Sequence, residues 1–148
     1  MMCMAIEKID HVGIIVQDLE LVKEFFSSLG LELMGQQEVS GDWINNIYGV
    51  DDAAATVAMM NVPNAETVIE IITFKSPQNV VPDSNYFPRN IGGSHIAFAV
   101  QDLDQIVSNL KDSTHHVIGD IIQYKDQYKL CYIKGPESVY VELAEKLK

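Results

Sequence analysis

His11-Val-Gly-Ile-Ile-Val-Gln-Asp-Leu-Glu20 and His95-Ile-Ala-Phe-Ala-Val-Gln-Asp-Leu-Asp104 are one pattern written twice, 84 residues apart. His, Val, Gln, Asp and Leu return in register, and the match revives where Leu33-Met34-Gly35 aligns with Val117-Ile118-Gly119. Self-similarity at a fixed offset marks a repeated supersecondary unit. Each copy opens on a short, largely β-branched apolar run, Val12–Val16 and Ile96–Val100, which reads as a strand. Asp18 and Asp102 follow where an N-cap belongs, since a carboxylate there accepts hydrogen bonds from unpaired amides of the first helical turn.

Outward from that core, Leu19, Val22, Phe25, Phe26 and Leu29 fall at helical spacing and give one apolar stripe, with Gly30 as the C-cap. Leu103, Ile106, Val107 and Leu110 repeat the stripe. Each helix is followed by three strand-like segments: Glu32–Val39, Thr56–Asn61 and Thr67–Phe74, then Val117–Tyr124, Lys129–Lys134 and Tyr140–Ala144. Pro63-Asn64, Lys125-Asp126 and Gly135-Pro136 mark turns. The chain is therefore expected to be α+β, one domain spanning 1–148 built from two βαβββ modules, about 6–75 and 94–148. The linker, about 76–93, carries Pro77, Pro82, Pro88, Gly92 and Gly93 and should be irregular.

The halves differ in length. From His11 to Glu70 is 59 residues, from His95 to Glu142 only 47, and the surplus maps onto Gly41–Asp52, which holds the only Trp. Such an insertion beside a strand edge is either a lid over a pocket or a short helix that covers the core.

Composition narrows the partners. The 148 residues are 47% hydrophobic and 21% charged, ordinary for a globular chain, with a formal charge of −11. A surface this acidic repels phosphate backbones and anionic membranes, so neither nucleic acid nor membrane is an expected partner. The opening MMCMAIEKID has neither the basic start nor the apolar run of a signal peptide, and no stretch approaches the ~20 apolar residues of a membrane span. Cys3 and Cys131 form no CxxC pair and read as free thiols, the latter as a small buried hydrophobe. A cytoplasmic protein is expected.

Each half offers one His on its first strand and one Glu on its last: His11 with Glu70, His95 with Glu142. Glu70 lies between Ile69 and Ile71, Glu142 between Val141 and Leu143. A carboxylate on a buried strand face must find a partner. A metal ion is one such partner; Arg or Lys is the usual alternative, but the only Arg is Arg89, in the linker. A lone strand His is more often a hydrogen-bonded core residue, and a lone strand Glu more often faces solvent. The recurrence of all four at matching places of a repeat favours the metal. His115 and His116 have no such counterpart and read as surface residues.

Ile9-Asp10-His11-Val12-Gly13 with Asp18-Leu19, then Glu70, then Gly93-Ser94-His95-Ile96-Ala97-Phe98, and finally Gly135-Pro136 with Val141-Glu142-Leu143, resemble the vicinal oxygen chelate superfamily. That superfamily includes glyoxalase I, methylmalonyl-CoA epimerase, extradiol dioxygenases and bleomycin-resistance proteins. The resemblance spans nearly the whole chain and implies two βαβββ modules forming an eight-stranded, cup-shaped mixed sheet, often in a homodimer. It also implies metal ligands on the first and last strand of each module: His11, Glu70, His95 and Glu142.

Two imidazoles and two carboxylates suit Zn²⁺, Ni²⁺, Co²⁺, Mn²⁺ or Fe²⁺. In such a site the metal acts as a Lewis acid on a substrate carbonyl and stabilises the enediolate left when an α-proton departs. By resemblance to glyoxalase I, Glu142 is the base, with Glu70 the second candidate. The implied enzyme is a lyase acting on a thiol–aldehyde adduct or an epimerase acting on an acyl thioester. An extradiol dioxygenase needs two His and one carboxylate around Fe²⁺, an arrangement that Glu70 would crowd. An antibiotic-binding member generally lacks the ligand set. Tyr140 and Ala144 share the strand face of Glu142, and Tyr124, Tyr128 and Tyr132 are either pocket residues or ordinary strand aromatics. Arg89 is a carboxylate or phosphate ligand or a solvated linker residue.

Overall fold

The structure, a computed structural model, describes residues 6–81, 89, 91–110 and 115–147. The chain divides into two compact units between Val80 and Val81. The first contains β1 (His11–Ile15), α1 (Leu19–Ser28), β2 (Glu32–Ser40), α2 (Asp42–Tyr48), β3 (Ala54–Asn61) and β4 (Val68–Ser76). The second contains β5 (Ile96–Val100), α3 (Leu103–Ser108), β6 (His116–Tyr124), β7 (Tyr128–Lys134) and β8 (Tyr140–Lys146). Strand, helix and three strands recur in each, as the repeat predicts.

The eight strands form two four-stranded mixed sheets, ordered β1-β4-β3-β2 and β5-β8-β7-β6. In each, the first strand runs parallel to the last, and the other pairings are antiparallel. The first strand of each unit thus lies directly beside the last, which is what makes a His on one and a Glu on the other neighbours.

The helix starts where the caps say. Asp18 accepts from the Leu21 amide at 3.1 Å, and Leu19, Val22, Phe25 and Phe26 of α1 are buried. They lie against β4, whose Ile69 and Ile71 are buried with Ala58 and Met60 of β3. Burying each of the larger of these side chains contributes roughly 1.5–3 kcal/mol. Gly30 follows the Leu29 cap with φ +102°, a left-handed conformation that ends the helix at no Cβ cost. Asp102 caps α3 by accepting from Gln105 N–H at 3.3 Å, but it does so at φ 56°, whereas Asp18 is extended. One sequence motif thus supports two cap geometries. Helix α3 ends at Ser108, before Leu110, and Leu103 is its buried residue.

The opposite face of the first sheet carries the insertion. Helix α2 places Ile44 on a cluster of Val39, Ala53, Ala55, Val57 and Ile72. Tyr48 meets Phe74 edge-on with centroids 4.9 Å apart. Of the two readings, the short covering helix is the one observed. Trp43 and Ile47 on its other side are 60% and 74% exposed. Cys131 is buried, and burial pushes its thiol up. His116 is exposed but opens β6 rather than sitting outside the sheet, and His115 is half-buried. Cys3, Pro82 and Pro88 lie outside the described residues. No described helix is long and apolar enough to cross a membrane.

Candidate functional site

Strand alternation sorts each sheet into two faces. In the first unit Gly13 pairs with Glu70, and Glu70 with Met59, so His11, Gly13, Glu70 and Met59 share the face away from α1. In the second, Ala97 pairs with Glu142, and Glu142 with Tyr132. Glu142, Ala97 and Tyr132 thus lie on the face opposite Ile133, Leu143 and Cys131. Both glutamates are flanked on the parallel-strand side by the two smallest residue types. A Cβ added at Gly13 would meet only Ile72 Cδ1, at 3.8 Å, so the space beside Glu70 is open.

The structure brings the four expected residues together two by two, within each unit. His11 Nε2 stands 3.5 Å from Glu70 Oε2, and His95 Nε2 stands 3.6 Å from Glu142 Oε2. The same atoms meet at nearly the same separation in both units, so the repeat extends to the side chains. Among the described residues, no group of three or more His, Cys, Asp or Glu is gathered closely enough to hold an ion. Each pair fits as half of a coordination sphere. Metal–donor bonds of about 2.1 Å at a tetrahedral angle place two donors about 3.4 Å apart.

The surroundings of the two pairs differ. His11 Nδ1 donates to Asp10 Oδ2 at 2.7 Å, because a carboxylate can only accept. That fixes the neutral tautomer with its lone pair on Nε2, facing Glu70. Two electron-rich atoms facing each other call for a proton or a cation between them. The Asp10 hydrogen bond, aided by the Glu70 and Asp10 charges, raises the pKa of His11 above its ordinary 6.5, while the His11 hydrogen bond holds Asp10 below its usual range. In the second unit Ser94 stands where Asp10 stands in the first. There Tyr132 lies edge-on to His95, centroids 5.0 Å apart, with its hydroxyl 3.4 Å from Nε2. Burial, and the Glu142 charge, push the Tyr132 phenol up.

Asp10 and Tyr132 are the site residues that sequence reasoning did not single out. Strand alternation alone would set Asp10 and His11 on opposite faces; Asp10 reaches the ring because it precedes the strand. Tyr132 was one of three tyrosines, and only the β7–β8 register sets it directly opposite Glu142. Tyr124 and Tyr128 are exposed, and Tyr140 is buried. Arg89 is exposed in the linker. A cleft of about 260 Å³, lined by Gly35, Gln36, Gln37, Val57 and Met59, adjoins Glu70 through Met59.

Comparison with known proteins gives this geometry its setting. A 2-epi-5-epi-valiolone epimerase from Actinomyces is 32% identical over 119 residues, covering 76% of this chain; the chain spans 62% of that enzyme's length. The crystal structure of a glyoxalase family protein from Bacillus cereus matches with a TM-score of 0.89 at 32% identity, covering 99% of this chain and all of that one. The fold is shared with a variant of the fosfomycin resistance protein FosX from Listeria monocytogenes, complexed with Mn(II) and 1S,2S-dihydroxypropylphosphonic acid. There the TM-score is 0.60 at 15% identity, over 93% of this chain and 89% of that one. The family model described as glyoxalase/bleomycin resistance protein/dioxygenase superfamily matches residues 10–132, from Asp10 beside the first His to Tyr132 beside the second. With that match over most of the chain, two mixed sheets and a near-complete structural counterpart, the chain belongs to the glyoxalase/bleomycin resistance protein/dioxygenase superfamily.

Proposed function

We propose that the chain is a divalent-metal-dependent enzyme that moves a proton α to a carbonyl, with His11, Glu70, His95 and Glu142 as the metal's ligands. The observation that carries this reading is the repeated approach of His Nε2 to Glu Oε2, at 3.5 and 3.6 Å, at matching places of the two units. The donor set, two imidazoles and two carboxylates, suits a borderline or hard divalent ion. When bound, such an ion supplies Lewis-acid charge to a substrate oxygen.

The protein's own residues do the rest. Glu142 takes the α-proton, and Glu70 is the second carboxylate able to do so or to return one. Tyr132, opposite Glu142, offers a hydroxyl donor to an oxygen in which charge develops. Asp10 holds His11 in the tautomer that leaves Nε2 free to ligate. The likeness to an epimerase supports inversion at a carbon next to a carbonyl over carbon–sulfur lyase chemistry. A FosX variant that shares the fold is complexed with Mn(II), which supports a divalent ion in the reading proposed here.

Elemental analysis of purified protein, beside α-proton exchange in D₂O followed by NMR, tests the reading. Metal at about one ion per chain is expected, falling in His11→Ala and in His95→Ala. Exchange should be lost in Glu142→Gln with the metal retained at reduced affinity. Catechol ring opening would hand the site to oxygen chemistry. A ligand bound tightly and returned unaltered, with no metal in the protein, would make the chain a binding protein.

A further inference from the structure

Among the described residues, half-buried lysines are paired with one departure. Lys23 lies 2.7 Å from Glu20, and Lys129 pairs with Asp104. Lys134, likewise half-buried, has neither an ion-pair nor a hydrogen-bond partner for its ammonium among the described residues. With 21 acidic residues against 10 basic ones, an unmatched and partly desolvated cation is the unexpected case.

Its position gives the reason. Lys134 is the last residue of β7 and pairs with Tyr140, while Tyr132 pairs with Glu142 in an unbroken register. Lys134, Tyr132, Tyr140 and Glu142 therefore share one face, and Lys134 is the diagonal neighbour of Glu142. Diagonal neighbours lie about 7–8 Å apart, within reach of a lysine. Yet the carboxylate of Glu142 is turned to His95 at 3.6 Å. The acid diagonal to Lys134 is committed to the candidate metal pair, and the ammonium is left open. The corresponding place in the first unit, two residues beyond Met59, is the neutral Asn61, whose amide donates to Ala65 O.

We infer that Lys134 receives an anionic group of the substrate, a carboxylate or a phosphate, while Glu142 faces the carbon that loses its proton. This rests on the proton-transfer reading for the role of Glu142, and it adds the substrate class: a small anionic carbonyl compound. Of the two corresponding positions only the one in the second unit is a cation, so the substrate binds with its charged end toward the β7–β8 turn.

Calorimetric titration with dihydroxyacetone, dihydroxyacetone phosphate and hydroxypyruvate, at low salt, tests it. At least one anion should bind ten-fold or more tightly than the neutral ketone, and which one does separates phosphate from carboxylate. Lys134→Gln, checked for native circular dichroism and melting, should remove that advantage, and Lys134→Arg should keep most of it. Equal affinity for all three probes, or an advantage that survives in Lys134→Gln, overturns the inference. An anion preference that persists in wild type and Glu142→Gln alike, with no α-proton exchange in either, upholds Lys134 and removes the proton-transfer reading instead.

Discussion

Asp10 Oδ2 lies 2.7 Å from His11 Nδ1, on the far side of the ring from the nitrogen that faces Glu70. Carboxylate, imidazole and carboxylate are thus in sequence, and the ring is both oriented and made more basic by the first. Partners of this kind are worth 10–100-fold in metal affinity elsewhere. Asp10→Asn should lower zinc affinity by about ten-fold or more in a competition titration with a chelating dye, while Ser94→Ala should change it by less than about two-fold.

The same contact sets two pH dependences of opposite sign. His11 has a raised pKa, so its stabilisation is complete below 6.5 and is lost as pH rises through the raised value; Asp10 contributes above 3.8 and loses it as pH falls through its lowered value. Urea midpoints of wild type and Asp10→Asn should therefore differ more at pH 5 than at pH 8. Metal affinity runs the other way, rising with pH until His11 is deprotonated. The substitution should move that rise to lower pH.

Gly13 offers a test of space rather than charge. A Cβ there meets ordinary contact only, and no positive φ is involved. Gly13→Val should leave the melting temperature unchanged or slightly raised, since β-branched residues suit a strand. It should cut metal uptake several-fold by filling the volume beside Glu70. Unimpaired metal content in a folded Gly13→Val protein would place the ion elsewhere.

Helix α2 should matter to stability. Ile44→Ala is expected to cost about 2–5 kcal/mol in urea unfolding, as for other buried aliphatics. Trp43, on the exposed side, should emit at a solvent-like wavelength and be quenched freely by iodide in the native state.

Cys131 should resist alkylation in the folded protein, since it is buried and its thiol is held in the protonated form. Mass mapping before and after urea should show its modification appear only with unfolding.

Much of this is legible in the amino-acid sequence. The His-to-Leu repeat fixes strand, cap and helix in one stroke, because the switch from apolar run to Asp to apolar stripe admits few other structures. The His–Glu pairing was legible too, because a parallel first and last strand makes it a matter of topology. Helix α2 was visible only as a surplus of residues, since seven residues give too little periodicity to decide between a helix and a loop. The roles of Asp10, Tyr132 and Lys134 depend on register and on side-chain direction at strand ends, and neither is encoded in local patterns. The αL cap at Asp102 was equally hidden, because Asp18 shows the same motif capping from an extended backbone.

The covering helix also gives the first sheet a closed end and an open one. Val39, Ala55 and Phe74 lie beneath or beside α2, whereas His11, Glu70 and Met59 belong to the opposite stretch of the same face. A molecule arriving on that face meets polar atoms at its leading edge and a wall of packed hydrocarbon beyond. A ligand that engaged Glu70 would have room sideways, over Gly35, Gln36 and Gln37, while the packed cluster around Ile72 closes the direction toward α2.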